Sequence, residues 1–557
     1  MAKSKRGKDR FHFKKFDTIG AMDGHDDTEF LPECFVDNPG LLECLIDPAR
    51  LERIVLGRTG AGKTALIEQL KSAEERVRVV EPENLSLQYL SNSPILLYLE
   101  EQKVHLELFY KLLWKHVFLV ELLQMKFSSA GSLTDWINKQ FPSKTERSAN
   151  QYMEDWRGSF FSVMEKRVVE MEEKLVSKIA GEVGVNSELV RAKISGSDAM
   201  SETEKVTYHM KAQAVVSQLQ IEQLNQIIES VAKDLFSKPT PRFYLVLDKL
   251  DEHWADNRFR YQLVRTLIDT IREFSQKFKS VKIVIAIRED LLQAVFKYAK
   301  REGLQEQKYT SFYLKLNWSQ RDLMQVLEKR LRRLCQKKGF SRDHPIKDLF
   351  PDRINAEPFS NYFIRRTLFT PRDVVDFFNR CIKHAEGKEK IGPQIVRTAE
   401  GEYSTARLIA LYEEWASVYP NLKSATSLLK AMPKSFTLES LAQDRIEALG
   451  VTLERPEESD DISRLLSKYY EGGCSIGDVR RDIAHIFYKV GMLGFKMDNF
   501  QSTVWSFRES TYVAPQEIVS LTKCEICPAF FRSLGVNPGS SSGGNQMDGS
   551  EGEEAGI

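Results

Sequence analysis

Short, unbroken apolar runs are separated along this chain by long stretches in which apolar residues recur every three or four positions. That is the pattern of buried parallel strands joined by helices. Ile54-Val55-Leu56 (preceded by Arg53), Phe243 to Leu247 and Val281 to Ile287 are the strand-like runs, and their apolar character suits a sheet covered on both faces. Roughly 180 residues lie between the first run and the second, more than a minimal core needs, so an insertion is expected there. Its spacing is helical. Phe161, Met164, Val168, Met171 and Leu175 form one stripe, and Leu224, Ile228, Val231 and Leu235 form another before Pro239 stops it. The two stripes predict an antiparallel helical hairpin, with the glycine- and serine-broken stretch from Gly181 to Ser201 as its exposed tip. Upstream, Leu106 to Phe127 reads as a core-facing helix around Trp114. The insertion is either a sensor, a contact for another subunit, or a helical layer that covers the sheet.

Beyond the third strand, Trp318 to Arg333 is an amphipathic pattern with Leu323, Val326, Leu327, Leu331 and Leu334 inward. Its other side is basic, through Lys329, Arg330, Arg332, Arg333, Lys337, Lys338 and Arg342. Those cations suit a solvated face, a nucleic-acid backbone or a neighbouring subunit's nucleotide. Further on, Ile462 to Tyr470 and Asp478 to Val490 predict two helices around a Gly472-Gly473 turn. Phe495 to Met497 and Val504 to Phe507 then predict a hairpin, so this part reads as a winged-helix-like domain. Arg480, Arg481 and Lys489 on its second helix are the candidates for DNA contact, the alternative being a protein-contact module. The expected plan is a mobile basic arm over 1–25, a core over 26–130 and 236–315, and a helical insertion over 131–235. A helical lid over 316–430, the winged-helix-like domain over 431–536 and a disordered tail over 537–557 complete it.

Gly57-Arg58-Thr59-Gly60-Ala61-Gly62-Lys63-Thr64, directly after the first strand, is where the chemistry concentrates. Glycines at 57, 60 and 62 let the chain curl so that successive N–H groups converge on a phosphate, with no side chain to block the approach. Lys63 adds a compact positive charge for the outer phosphates, Thr64 a hydroxyl for magnesium, and the helix expected to follow turns its positive end to the anion. The second strand ends in Asp248-Lys249-Leu250-Asp251-Glu252, which assigns Asp248 to magnesium and Glu252, with Asp251 beside it, to the attacking water; Asp251 is equally suited to capping the next helix. The third strand ends in Arg288, on the rim where ligands bind in such sheets; it either senses the terminal phosphate or bridges to an acid such as Asp251.

The 557 residues, 42% of them hydrophobic, suffice for two to four packed domains, and 80 basic against 79 acidic side chains leave no global field to argue for nucleic acid. Seven scattered cysteines suit reduced thiols, and Cys524 and Cys527, the one Cys-x-x-Cys pair, read as structural. No apolar stretch approaches the ~20 residues needed to cross a bilayer, and a signal-peptide core is lacking, so a cytoplasmic protein without a membrane partner is expected.

Four apolar residues, Asp248, two residues and Asp251-Glu252, together with the arginine that ends the third strand, resemble the STAND branch of P-loop ATPases, related to AAA+, NACHT and origin-recognition-like ATPases. The resemblance implies an α/β fold with a helical lid and a nucleotide-dependent switch that oligomerises on sensing an input. It also implies that Thr370-Pro371-Arg372-Asp373 opens a lid helix carrying a second phosphate-sensing residue, Arg372, and proline suits such a helix start. The order of phosphate loop, Asp-x-x-Asp-Glu-x-Trp, arginine-tipped strand, Pro-Arg-Asp and a late Cys-Pro-Ala-Phe-Phe-Arg-Ser-Leu-Gly further resembles a bacterial family of single-chain P-loop ATPases.

The sequence therefore leads to a magnesium-dependent protein that binds and hydrolyses ATP, of class α/β: a P-loop NTPase parallel sheet with helical insertion, helical lid and C-terminal winged-helix-like domain. Prokaryotic defence against phage is the role the resemblance suggests. Two alternatives stay open: a DNA-binding ATPase that uses the C-terminal domain, and a nucleotide-binding assembly scaffold without turnover. A homo-oligomer, or a protein partner at the insertion or the winged helix, is compatible with each.

Overall fold

In the computed structural model the described residues are 10–37, 40–85, 96–97, 100, 106–128, 143–154, 173–194, 222–252, 257–299, 306–341, 345–453, 461–498, 502–508 and 513–541. The chain divides into two compact units. A sheet unit comprises Asp37–Gly57 and Lys63–Leu316, and a terminal unit comprises Met1–Val36, Arg58–Gly62 and Asn317–Ile557.

Strands β1 (Ile54–Leu56), β2 (Val77–Val80), β3 (Phe243–Leu247), β4 (Val281–Ile287) and β5 (Tyr313–Lys315) form the sheet of the first unit, in the order β2-β3-β4-β1-β5. Every pairing is parallel, with Val55 opposite both Ala286 and Leu314, and Leu245 opposite Ile283. All residues of β1, β3 and β4 are buried, as their apolar runs predict. The apolar run expected over Leu106 to Phe127 is the helix Glu107–Ser128. Trp114 within it donates its indole N–H to the Leu263 carbonyl at 2.9 Å, and Phe118 meets Phe274 edge-on at 5.1 Å. Leu263 and Phe274 belong to the helix Asn257–Lys277.

Part of the insertion is described. The second stripe is the helix Glu222–Leu235 with Ile228 and Val231 buried, whereas Phe161 to Met171 of the first lie outside the described residues. The stretch expected as a broken tip contains regular structure. A helix over 173–183 ends at Gly184, whose φ of 77° is the left-handed conformation that closes helices. Asn186 then caps a new helix, Ser187–Ile194, by accepting the Leu189 N–H at 2.7 Å. Glycine and serine here mark a cap and a restart, which composition alone does not distinguish from a loop.

A cluster of carbonyls at the other end of the sheet is met by buried cations. Lys282 of β4 donates to the carbonyls of Cys44 and Asp47, the latter at 2.8 Å, Arg53 donates to Pro48 O at 3.0 Å, and the Tyr244 hydroxyl donates to Ile46 O at 2.6 Å. These carbonyls lie at and just past the C-terminal end of the helix Leu41–Ile46, where positive charge is favoured. Burial, reinforced by Arg53, pushes the Lys282 amine down to about 7.

In the terminal unit the amphipathic segment forms the helix Gln320–Lys337, started by a capping box between Ser319 and Asp322, and the five expected inward positions are all buried. Its basic face is matched by residues 10–36. Arg330 pairs with Asp27 at 2.5 Å with both side chains buried, Arg333 pairs with Glu33 at 2.9 Å, Lys337 with Glu29 and Lys338 with Asp17, and Lys329 donates to Phe35 O at 2.8 Å. Arg332 pairs with Glu328 on its own helix, and Arg342 lies outside the described residues. Phe11 and Phe13, within the stretch read as a basic arm, are buried. Gly20, at φ 120°, makes room for the ion pair: a Cβ there would stand 2.2 Å from Arg330 and 2.5 Å from Asp27.

The helices Pro371–His384 and Pro393–Trp415 pack through stacked Phe377 and Tyr403, and Phe363 stacks on Phe377 at 4.2 Å. A two-stranded ladder joins β6 (Arg353–Ile354) and β7 (Glu357–Pro358). Towards the C-terminus, β8 (Pro433–Thr437), β9 (Leu493–Lys496), β10 (Lys523–Ile526) and β11 (Asn537–Ser541) form a sheet ordered β11-β8-β10-β9. The two expected helices are Asp461–Tyr470 and Ile476–Val490. Val504 bridges Phe495, but β9 takes its ladder partner, β10, from beyond the expected hairpin.

Two stability outcomes are expected. Asp27→Ala leaves Arg330 buried without its carboxylate and costs about 3–5 kcal/mol in denaturant unfolding. Lys282 carries a proton in the unfolded chain up to a pH of about 10.4 but loses it in the folded chain near 7, so stability rises with pH across that window and the cost of burial is complete below it. Urea midpoints taken at about pH 6.5, 8 and 9.5 should show this rise in wild type and not in Lys282→Met.

Candidate nucleotide site

In the sheet unit the topology assembles one rim. β1 ends in Gly57, β3 in Asp248 and β4 in Arg288, and because the strands are parallel all three leave the same edge. The helix Lys63–Ala73 begins directly after the loop, so its unbonded N-terminal amides belong to the loop's end. The Lys63 ammonium donates to Gly57 O at 3.1 Å, and Thr64 occupies the first turn. Asp248 is only 5% exposed and its Oδ1 accepts the Lys249 N–H at 2.9 Å.

Lys249 holds a φ of 57°, a left-handed conformation uncommon outside glycine, which turns the chain sharply after β3. The turn is closed by Glu252 N–H to Lys249 O at 3.2 Å and clamped by Arg260, which donates to the carbonyls of Asp251 and Glu252 at 3.3 and 3.1 Å. Lys249 itself pairs with Glu81 beyond β2 at 2.9 Å, which raises its pKa. The Glu252 carboxyl is pushed up by partial desolvation, against the nearby Lys249 charge and with Asp251, Glu83 and Glu81 adding to the rise. Arg288, whose strand lies between β3 and β1, meets Asp251 at 3.3 Å and Asp290 at 2.9 Å. The bridge to Asp251 is one of the two roles its position suggests.

Residues 58–62 of the loop belong to the terminal unit. Gly60 and Gly62 have φ of 80° and 95°, and Ala61 N–H closes a turn onto Arg58 O at 3.1 Å. Gly60 O accepts the Arg372 N–H at 3.3 Å, and a Cβ at 60 would stand 2.5 Å from that of Arg372. Trp318 donates its indole N–H to Ala61 O at 2.8 Å. Arg58 is buried and donates to Val490 O at 2.6 Å, with its guanidinium 5.8 Å from the Phe507 ring. Thr370 caps the helix Pro371–His384 by accepting the Asp373 N–H at 3.2 Å, the helix start expected of Thr-Pro-Arg-Asp. The Arg372 guanidinium is held by Met22 O at 3.0 Å and Asp23 at 3.4 Å.

Trp318, Arg260 and the buried seat of Arg58 are absent from the motif reading. Positions 58 and 59 are unconstrained in a phosphate-loop pattern, and Trp318 reads there only as the start of an amphipathic helix. The candidates for DNA contact are engaged within the protein: Arg480 donates to Leu441 O at 2.8 Å, and Arg481 pairs with Asp478 at 2.8 Å and Asp482 at 3.0 Å, while Lys489 lies in the last turn. Cys524 and Cys527 are buried and their thiols are pushed up to about 12, away from the thiolate that metal or redox chemistry requires. No helix among the described residues is long and apolar enough to cross a membrane.

Residues 321–412 match the family described as the FunZ-associated C-terminal helical domain, a span that runs from the basic helix through most of Pro393–Trp415. The transposon gamma-delta 80.3 kDa protein of Escherichia coli (strain K12) is 21% identical over 374 residues, which are 65% of this chain and 51% of that protein. The chain thus spans about half the length of this relative. A solved structure of the Aeropyrum pernix ORC2 protein, in ADPNP-ADP complexes, aligns over 88% of each chain with 11% identity and a TM-score of 0.31, a likeness too low to carry an argument.

The loop's rear contacts are open to test. Trp318→Phe removes one hydrogen bond worth about 1 kcal/mol and should weaken ATP binding about fivefold in a fluorescent-nucleotide titration. Gly60→Ala, strained at φ 80° and crowded against Arg372, should abolish binding in the same assay.

Proposed function

We propose that the chain is a magnesium-dependent ATPase that works as a nucleotide-controlled switch of STAND type. The observation that carries this reading is the complete phosphate loop, Gly57 to Thr64, leaving an interior parallel strand whose sheet also delivers Asp248 and Arg288 to the same rim. The loop amides and Lys63 neutralise phosphate charge. The Thr64 hydroxyl and the Asp248 carboxylate are the oxygen donors that suit magnesium, which when bound neutralises the charge developing on the phosphates.

Glu252, with its raised pKa, takes the proton of the attacking water, and Asp251 beside it steadies Arg288. Arg288 and Arg372 are the two phosphate-sensing groups. Arg288 is now tied to protein oxygens, so an exchange of those partners for the terminal phosphate supplies the differential contact a switch needs. The resemblance to STAND proteins supports hydrolysis as the reset step, and prokaryotic defence against phage as the setting. Duplex DNA is not favoured as the input, because Arg480 and Arg481 are spent on internal partners.

ATP turnover and particle size, measured together with and without DNA, test the reading. Lys63→Ala should lose nucleotide binding, and Glu252→Gln should bind ATP but turn it over about 10²–10⁴-fold more slowly. Full turnover by Glu252→Gln removes the assigned base, and a wild-type protein with no magnesium-dependent ATP binding ends the proposal.

A further inference from the structure

The terminal unit contains a cleft of about 340 Å³ that the phosphate-loop chemistry does not use, within the size range of small-ligand sites. Five cations line it, Arg365, Arg366, Lys434, Lys496 and Arg508, against two carboxylates, Glu357 and Glu525. Arg366 is committed to the protein, 2.9 Å from Glu400 and stacked 3.4 Å above the Tyr362 ring, so it forms wall. Two of the others sit in long pairs. Arg365 is 3.9 Å from Glu357 and Lys434 is 3.8 Å from Glu525, long pairs with the cation side chains about half exposed. Such pairs contribute little and exchange readily for another anion. Lys496 stands directly opposite Lys523 across the β9–β10 ladder, a like-charge placement that costs stability and that a bound anion would relieve.

Aromatic rings supply the rest of the lining. Trp505 and Phe507 lie 5.6 Å apart, Phe507 and Phe369 6.0 Å, and the Arg508 guanidinium sits 4.0 Å above the Phe369 ring. A planar cation already stacked on an aromatic face is the arrangement by which proteins take a flat, electron-rich base. Phe369 also has a φ of 56°, a conformation that costs a bulky residue energy and that clusters at ligand clamps.

We infer that this cleft is a second ligand site, which takes a nucleobase carrying a phosphate, the base beside Phe507 and stacked on the Arg508 guanidinium that covers Phe369, and the phosphate among Arg365, Lys434 and Lys496. The ligand is either a free mononucleotide or one unit of a single strand, which present the same chemistry.

The test uses the full chain carrying Lys63→Ala, so that the phosphate loop does not contribute. Thymidine 5′-monophosphate is titrated by calorimetry and a short fluorescein-labelled oligothymidylate by anisotropy, each at low and at physiological salt. Binding of the mononucleotide identifies a free nucleotide as the ligand, and binding of the strand alone identifies single-stranded nucleic acid. In either case Arg365→Glu with Lys496→Glu should weaken binding about tenfold or more and flatten its salt dependence, with the circular-dichroism spectrum of the folded chain retained. The milder Arg365→Gln with Lys496→Gln pair repeats the test if the charge reversal disturbs folding. No binding of either probe, or binding that neither pair weakens, overturns the inference.

Discussion

A loop that binds phosphate through its backbone must keep its amides turned towards the ligand, and so its carbonyls have to be held from behind. In this chain three of the loop's carbonyls are taken up by named groups: Gly57 O by the Lys63 ammonium, Gly60 O by the Arg372 amide and Ala61 O by the Trp318 indole. The left-handed turns at Gly60 and Gly62 make this possible, since both carbonyls and amides find a direction only if the chain reverses within a few residues. Two of these holders come from helix starts, Trp318 just before Gln320–Lys337 and Arg372 within the first turn of Pro371–His384. These two helix starts are therefore part of the geometry of residues 60 and 61.

The buried strands were the most legible elements, because full burial on both faces leaves no polar position to blur the run. β3 and β4 occupy the apolar runs from Phe243 and from Val281, whereas β2 and β5, short and only partly buried, carry no such signal. The basic helix was legible as a helix but not in its partners. Five of its cations, Lys329, Arg330, Arg333, Lys337 and Lys338, are met from residues 17–35, more than 290 positions away in sequence, and no local pattern carries information over that distance. The C-terminal sheet was hidden for the same reason. β9 pairs with β10, beyond the segment expected to complete its hairpin, and β8 joins from before both helices. Within the site, motif positions were readable while their supports were not: Asp248 stands in a pattern, but the Lys249 turn and the Arg260 clamp beneath it are tertiary facts.

Charge in this molecule is settled locally. Alongside the near balance of 80 basic and 79 acidic residues stand specific pairings such as Arg330 with Asp27, Arg407 between Asp373 and Glu414, and Lys249 with Glu81. Arg407 shows the principle at its strongest, a buried guanidinium at 3.3 and 3.0 Å from two carboxylates that keep it charged despite desolvation. At the aromatic cleft, by contrast, the pairs of Arg365 and Lys434 are long and their cations about half exposed.

Four of the acids that face the long basic helix, Asp17, Asp27, Glu29 and Glu33, reside in one short leading segment. A preparation clipped by a protease before the first strand would present an uncovered polycationic ridge, and would retard oligonucleotides on a gel as an artefact of cleavage.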